Sequence, residues 1–307
     1  MGREKMILGT RGSKLAMTQS QWVAGKLQEI HPEMSVELEI IKTAGDRLQT
    51  SLDPDSEKNK LEKGLFTREI EQALLDQKID LAVHSLKDLP VDNPQGLTIG
   101  AIPQREASQD LIILKKGMDL EALPEGSVIL TGSFRRELQW KEIYKHTKVQ
   151  SIRGNVNTRL KKLDNNATAA GLILAHAGIN RLGLDLKNFT VHVIPSEKML
   201  PAPGQGALAL QVREHDDKTL KIISALHDDK TAMEVKAERE LLKALGGGCN
   251  EPMGALAKFD GQYITINAVY YSDKNNAMTA VRSEMRGHPD EMQKVCQRMA
   301  KELLRSE

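Results

Sequence analysis

The sequence predicts an α/β protein: two lobes built on parallel sheets, followed by a smaller α+β unit. Three observations predict it. Over residues 6–178 short apolar runs alternate with segments of helical periodicity, which implies parallel strands joined by crossover helices and sheets covered on both faces. Two segments, PQREASQD (103–110) and IPSEKMLPAPGQGA (194–207), interrupt that rhythm with polar residues, prolines and glycines, and read as crossings out of a first lobe and back into it. Beyond residue 230 the pattern changes to a helix, two adjacent strands and a closing helix. At roughly 150 residues per domain, 307 residues accommodate this plan: residues 1–103 with 205–225, residues 104–204, and residues 226–307.

The elements follow in order. MILGT (6–10) is a strand, and Ala16, Val23, Leu27 and Ile30 recur at helical spacing behind Ser13, an N-cap. FTREIEQALLDQ is a helix leading into the strand IDLAVHS (79–85). SVILTGS (127–133) leads into the helix RRELQWKEIYK, VQSIRGN (149–155) into VNTRLKKLD, and AGLILAHAG (170–178) is a further buried strand. In the last unit a helix starts at Thr231, where Glu234 completes a capping box, and runs to the glycines at 246–248. YITINAVYY and MTAVRSEMR pair as strands, and PDEMQKVCQRMAKELL turns Met292, Val295, Met299 and Leu303 inward. HDDKT occurs at 215–219 and again at 227–231, a repeat that solvated helix caps explain.

Composition excludes several function classes. Lys plus Arg (43) nearly cancels Asp plus Glu (42), so no global field steers nucleic acid or an anionic membrane, and any anion must be met by local clusters. Aromatics at 3% deny a single-strand binder its stacking platform. Two distant cysteines, Cys249 and Cys296, form neither a disulfide framework nor a CxxC metal site, which fits a reducing compartment. MGREKMILGT lacks the apolar stretch of a signal peptide, no run approaches a membrane span, and Met6 stands where a myristoylation motif needs Ser or Thr. A cytoplasmic protein without metal, nucleic-acid or membrane partners is expected.

Chemistry concentrates at strand ends, where open α/β sheets collect ligands beside helix N-termini. Arg11 and Ser13 lie in GTRGS; Ser85, Lys87 and Asp88 in HSLKDLP; Ser133, Arg135 and Arg136 in TGSFRR; Arg153 and Asn155 in IRGN. Arg159 lies one turn further on, and Arg181 follows the last strand. Cations in a first helical turn oppose the helix dipole, so Arg135 and Arg136 call for a reason. As a set the arginines fit a carboxylate clamp; singly, each fits a surface arginine paired to a neighbour. Asp88, a lone acid among cations, suits stabilisation of a developing positive charge, or it is a loop cap or ion-pair partner. In LGGGCNEPMG three glycines clear space beside Cys249, which sits after a helix C-terminus where a thiolate is disfavoured. A stable thioether to a permanent group fits that setting better than a turnover nucleophile, and inert packing is the other reading. Cys296, His84 and His176 read as packing residues, and no P-loop, dinucleotide fingerprint or zinc cluster is present.

VHSLKDLP, the RR pair of TGSFRR, IRGNVNTRL, PAPGQGA and AERELLKALGGGCNEPMG, in this order, resemble the porphobilinogen deaminase family, also called hydroxymethylbilane synthases, over residues 6–257. The resemblance implies two doubly wound lobes like those of periplasmic binding proteins, with a cleft between them and a small C-terminal α+β domain. It implies a transferase of heme biosynthesis, a monomer, which joins four porphobilinogen molecules head to tail with loss of ammonia and releases hydroxymethylbilane to uroporphyrinogen III synthase. The chain grows on a dipyrromethane cofactor held by a thioether to Cys249, for which the glycines make room. Asp88 matches the catalytic acid. Cysteine aside, Arg135, Arg136, Ser133, Thr131, Lys87, Ser85 and Arg159 match positions around the cofactor, and Arg11, Ser13, Gln19, Arg153, Arg159, Arg181 and Gln205 match positions around the substrate.

Departures remain. The family's GTSSxRR appears with Leu130 and Gly132 in place of a glycine and a serine, and His176 stands in ILAHAG without an assigned role. Lys58, Lys60 and Lys63 do not align cleanly with the family's loop lysine, so which of them matches it stays open. The competing readings are a non-enzymatic two-lobed binder of a small dianion and a transferase that uses Cys249 as a turnover nucleophile.

Overall fold

The computed structural model describes residues 4–44, 67–247, 251–274 and 277–305. Along them run β1 (Glu4–Thr10), α1 (Lys14–Ile30), β2 (Met34–Ile40), α2 (Arg68–Leu75), β3 (Leu81–Ser85), a 3-10 turn (Leu86–Asp88), β4 (Leu97–Ala101) and β5 (Asp110–Lys115). Next come β6 (Val128–Leu130), α3 (Phe134–Ile143), β7 (Lys148–Gln150), α4 (Val156–Asn165), β8 (Ala169–Ala175), α5 (His176–Leu182) and β9 (Phe189–Ile194). The chain ends with β10 (Leu208–Arg213), α6 (Asp217–Ile223), α7 (Asp229–Ala244), β11 (Met253–Phe259), β12 (Ile264–Lys274), β13 (Ala277–Gly287) and α8 (Met292–Arg305). These form two compact units, Met1–Arg105 with Ala207–Ala232, and Glu106–Gly206 with Met233–Glu307.

In the first unit the strands are ordered β2-β1-β3-β10-β4. Alternation along each strand feeds two cores. Met6, Leu8, Leu81 and Val83 meet Val23 and Leu27 of α1 on one face, while Ile7 and Ala82 meet Ile70 and Leu74 of α2 on the other. That is the doubly wound arrangement. Ser13 caps α1 as the sequence implies, its hydroxyl accepting from the Ala16 amide at 3.3 Å. Ile30, expected inward, is exposed because it closes the last turn of α1 past the end of the core.

The second unit repeats the plan with the order β7-β6-β8-β5-β9. Trp140 of α3 packs with Ile112, Ile129 and Ile173 on one face, and Leu160 and Leu163 of α4 with Leu111, Leu130 and Leu172 on the other. Neither sheet is wholly parallel, contrary to expectation: β10 runs antiparallel to β3 and β4, and β5 antiparallel to β8 and β9. These two strands follow the crossings rather than a crossover helix, so nothing imposes parallel pairing on them.

The C-terminal segment is a three-stranded antiparallel sheet, β11-β12-β13, with helices on one face. Met292, Val295, Met299 and Leu303 point inward as expected, with Cys296 beside them and Leu241 of α7 across the core. Its other face belongs to the second unit, because Leu256, Val269 and Tyr271 pack on Leu138 and Leu200. A polar link reinforces the seam, Tyr271 Oη and Arg282 Nη2 both donating to Glu142 at 3.0 and 2.6 Å. The start of α7 differs from the expected capping box. Asp228 caps the helix, accepting from the Thr231 amide at 2.7 Å, while Glu234 instead accepts from the Phe259 amide at 3.1 Å.

Candidate functional site

In the first unit the sequence-predicted residues gather at the carboxyl ends of β1 and β3, neighbouring parallel strands. Gln19, buried on α1, and Ser85 are tied by a side-chain hydrogen bond of 2.9 Å, so the end of β3 is anchored to the helix that Ser13 starts. The turn Leu86–Asp88 follows at once and leaves Asp88 exposed, with Lys87 half-buried beside it. His84, which the sequence reading took as a packing residue, belongs to a buried polar row. His84 Nε2 meets Gln211 Oε1 at 3.0 Å, Gln211 Nε2 donates to Glu71 at 3.4 Å, and Thr67 donates to the same carboxyl at 3.2 Å. Burial, together with the nearby charge of Arg11, depresses the His84 imidazole to about 4, so it is neutral at ordinary pH. Burial likewise raises the Glu71 carboxyl.

In the second unit the loops after β6, β7 and β8 bring Thr131, Ser133, Arg135, Arg136, Arg159 and Arg181 to one end of the sheet. Thr131 braces this end, its amide donating to the Gln150 carbonyl and its hydroxyl accepting from the Ser133 amide. Ser133 begins α3 without a side-chain capping bond, whereas the Asn155 side chain is spent as the cap of α4. Arg153 is exposed. Arg159 Nε donates to the Gly154 carbonyl at 2.7 Å, and among the described residues no carboxylate pairs with it. Burial first, and then the adjacent Arg136, lower its pKa. Arg181 Nη2 donates to the Gly206 carbonyl at 2.7 Å, and Gly206 adopts a φ of +90° where an added Cβ would stand 2.3 Å from the Glu106 carbonyl oxygen.

Arg135 and Arg136 are neither surface arginines nor free: they are 5% and 6% exposed and share Asp110, which is fully buried. Arg135 Nη2 lies 2.8 Å from one carboxylate oxygen, and Arg136 Nη2 lies 2.9 Å from the other. Gln205 Nε2 donates to Asp110 at 2.8 Å as well. Burial alone would raise the Asp110 carboxyl, but the two guanidiniums override it and hold the group ionised far below the usual carboxylate range. Asp110 supplies the reason that two cations in a first helical turn require. Sequence reasoning missed it because Asp110 opens β5, and only the antiparallel pairing of β5 with β8 carries that residue to the carboxyl ends of the parallel strands, level with Ala175. The signal was an acid directly before a fully buried apolar run. Removing one partner from such a buried pair costs about 3–5 kcal/mol.

Among the described residues, two buried polar atoms at this end have no partner, Arg135 Nε and His176 Nδ1. A buried polar atom left unbonded is costly, so both mark places where a ligand atom would be welcome. Glu238 of α7, also fully buried, accepts from the amides of Gly204 and Ala257 at 2.7 and 3.0 Å, tying the PAPGQGA segment to α7 and β11. The helix ends in left-handed glycines, Gly246 and Gly247, the latter donating to the Leu242 carbonyl. Cys249, and the lysines Lys58, Lys60 and Lys63, lie outside the described residues. Among the described residues no helix is long and apolar enough to cross a membrane.

Comparison with known proteins decides the family. Residues 6–221 match the family model "Porphobilinogen deaminase, dipyromethane cofactor binding domain", and residues 232–305 match "Porphobilinogen deaminase, C-terminal domain". The chain belongs to the porphobilinogen deaminase family. A relative from Syntrophus aciditrophicus with that name is 41% identical over 300 residues, covering 97% of this chain and 95% of its own. Porphobilinogen deaminases of Listeria monocytogenes and Gloeobacter violaceus are 43% and 42% identical, covering 87% and 91% of this chain and 85% and 84% of their own. A periplasmic binding protein of Salmonella typhimurium is similar at 13% identity and a TM-score of 0.38, covering 75% of this chain and 94% of its own. The family match extends through the C-terminal segment, beyond residue 257 where the quoted motifs stop. The region that carries the arginines and Asp110 is thus a dipyrromethane-binding domain.

Proposed function

We propose that this chain is a hydroxymethylbilane synthase, a transferase that joins four porphobilinogen molecules into a linear tetrapyrrole on a dipyrromethane linked by a thioether to Cys249. The observation that carries the reading is the surplus of buried positive charge in the second unit, where Arg135, Arg136 and Arg159 have Asp110 as their one carboxylate among the described residues. Each pyrrole of the substrate bears an acetate and a propionate, and repulsion among the accumulating carboxylates must be offset by cations. Guanidiniums suit that task because they bind carboxylates through paired N–H donors. The donor set fits the cofactor: the unpartnered Arg135 Nε and the uncompensated Arg159 fork would hold its carboxylates, with Ser133, Thr131, Lys87 and Ser85 supplying neutral and cationic bonds. When bound, the dipyrromethane supplies the free pyrrole carbon at which extension begins. Arg11, Ser13, Gln19, Arg153, Arg181 and Gln205 would orient incoming substrate.

Asp88 is the catalytic residue of this reading, its exposed carboxylate stabilising the positive charge that develops as ammonia departs and assisting transfer of the proton that the attacking pyrrole carbon releases. No metal is required. The setting is cytoplasmic and monomeric, and the product passes to uroporphyrinogen III synthase. A non-enzymatic binder of a small dianion is not favoured, since both parts of the chain match one enzyme family.

Intact mass spectrometry tests the reading. Freshly purified active protein is expected to exceed its sequence mass by two substrate-derived rings, and Cys249→Ser to lack the increment. Asp88→Asn should keep the added mass but lose turnover by at least about a hundredfold. Active protein of bare sequence mass would overturn the thioether, and near-normal turnover in Asp88→Asn would overturn the catalytic assignment.

A further inference from the structure

Arg135 and Arg136 are consecutive residues on a helix, so their side chains leave α3 about 100° apart and would diverge unless something gathered them. Asp110 gathers them. One of its oxygens accepts from Arg135 Nη2 at 2.8 Å, and the other from Arg136 Nε at 3.1 Å and from Gln205 Nε2 at 2.8 Å. Around this hub two further donors are fixed, Arg135 Nη1 on the Leu200 carbonyl at 2.6 Å and Arg136 Nη1 on the Ile173 carbonyl at 3.3 Å, which leaves Arg135 Nε without a bond among the described residues. Gln139 clasps Leu200 from the other side, its Nε2 donating to the carbonyl at 2.9 Å and its Oε1 accepting from the amide at 2.8 Å. The carboxylate is fully buried and the arginines nearly so, so water does not compete for these bonds.

We propose that Asp110 is a positioning residue: it fixes the Arg135 and Arg136 guanidiniums and the Gln205 amide in ligand-ready orientations before the dipyrromethane is acquired. The proposal rests on the reading that these arginines hold pyrrole carboxylates. Preorganised cations bind without the ordering cost that flexible ones incur, so the geometry of the hub, and not only its charge, governs how readily the primer is taken up. A purely charge-balancing acid would be replaceable by any other acid.

The test compares Asp110→Glu, which keeps the charge but moves it by one methylene, with Asp110→Asn, which keeps the shape but loses the charge. Far-ultraviolet circular dichroism identifies folded protein, and intact mass reports the fraction carrying the two-ring increment after incubation with porphobilinogen. Folded Asp110→Glu is expected to acquire the increment roughly tenfold more slowly than wild type, the equivalent of one weakened charge-assisted bond, and Asp110→Asn more slowly still. Wild-type acquisition by folded Asp110→Glu would overturn the proposal while leaving the arginine reading intact; absence of the increment from wild type would overturn the arginine reading itself. A second measurement needs no change at the hub. In Cys249→Ser, which lacks the sulfur anchor, side-chain nitrogen resonances of Arg135 and Arg136 should show hindered guanidinium rotation and slow hydrogen exchange. Fast rotation of both forks would overturn the proposal even where neither Asp110 variant folds.

Discussion

Gly132 shows how a single missing side chain fits the site. An added Cβ there would stand 2.5 Å from the Ile152 carbonyl oxygen and 3.6 Å from both terminal nitrogens of Arg159. The serine that the family motif carries at this place would therefore displace the backbone of the loop after β7, whose Gly154 carbonyl holds Arg159 Nε. Gly132→Ser is expected to destabilise the protein by about 1–3 kcal/mol, as overpacking does, and to weaken substrate binding through Arg159. Urea unfolding and the KM for porphobilinogen check the two effects; an unchanged midpoint would mean that the loop shifts freely. Residue types and spacing singled out Asp88 and the arginines as candidates, and placed Ser13 as a cap, which its bond to the Ala16 amide bears out. They could not disclose Asp110, because an acid at the start of a strand is ordinary until the partner strand's direction is known. The same holds for His84, whose bond to Gln211 spans 127 residues.

At the scale of elements, the repeated HDDKT has a local meaning. Asp216 accepts from the Thr219 amide at 3.1 Å and Asp228 from the Thr231 amide at 2.7 Å, so each copy caps a helix in the same register. Asp228→Ala is expected to cost about 1 kcal/mol, the usual worth of an N-cap. Asp216→Ala should cost more, since Asp216 also accepts from Arg213 Nη2 at 2.6 Å. Urea midpoints followed by circular dichroism check the order, and a larger effect at Asp228 would contradict it. Helices and their caps were legible because their determinants lie within four residues of one another. The exception, the start of α7, was misplaced because a Thr-x-x-Glu box and an Asp-x-x-Thr cap overlap there, and tertiary contact with β11 takes Glu234 away.

The whole molecule responds to pH through groups that folding removes from water. His84 is depressed from 6.5 to about 4 in the folded protein, so between those values the unfolded chain binds a proton that the native one refuses. The contribution is complete above about pH 6.5 and is lost as pH falls toward 4, amounting to about 3 kcal/mol. Glu71, raised mainly by burial, acts with the opposite sign above its ordinary value, so the histidine must be isolated by difference. The loss of urea stability between about pH 7 and pH 4.5 should be smaller in His84→Asn than in wild type. Parallel pH curves for the two proteins would show that His84 is not held neutral.

By itself the sequence determined the two α/β lobes, the cap of α1, the inward face of α8 and the family, because periodicity, capping and motif spacing are written in short stretches. Only the tertiary structure decided that β5 and β10 run against their neighbours, that the C-terminal sheet shares a core with the second unit, and that Arg135 and Arg136 converge on Asp110. Strand direction and the pairing of buried charges depend on which distant segments meet, and burial rather than residue type sets the strength of what they form there.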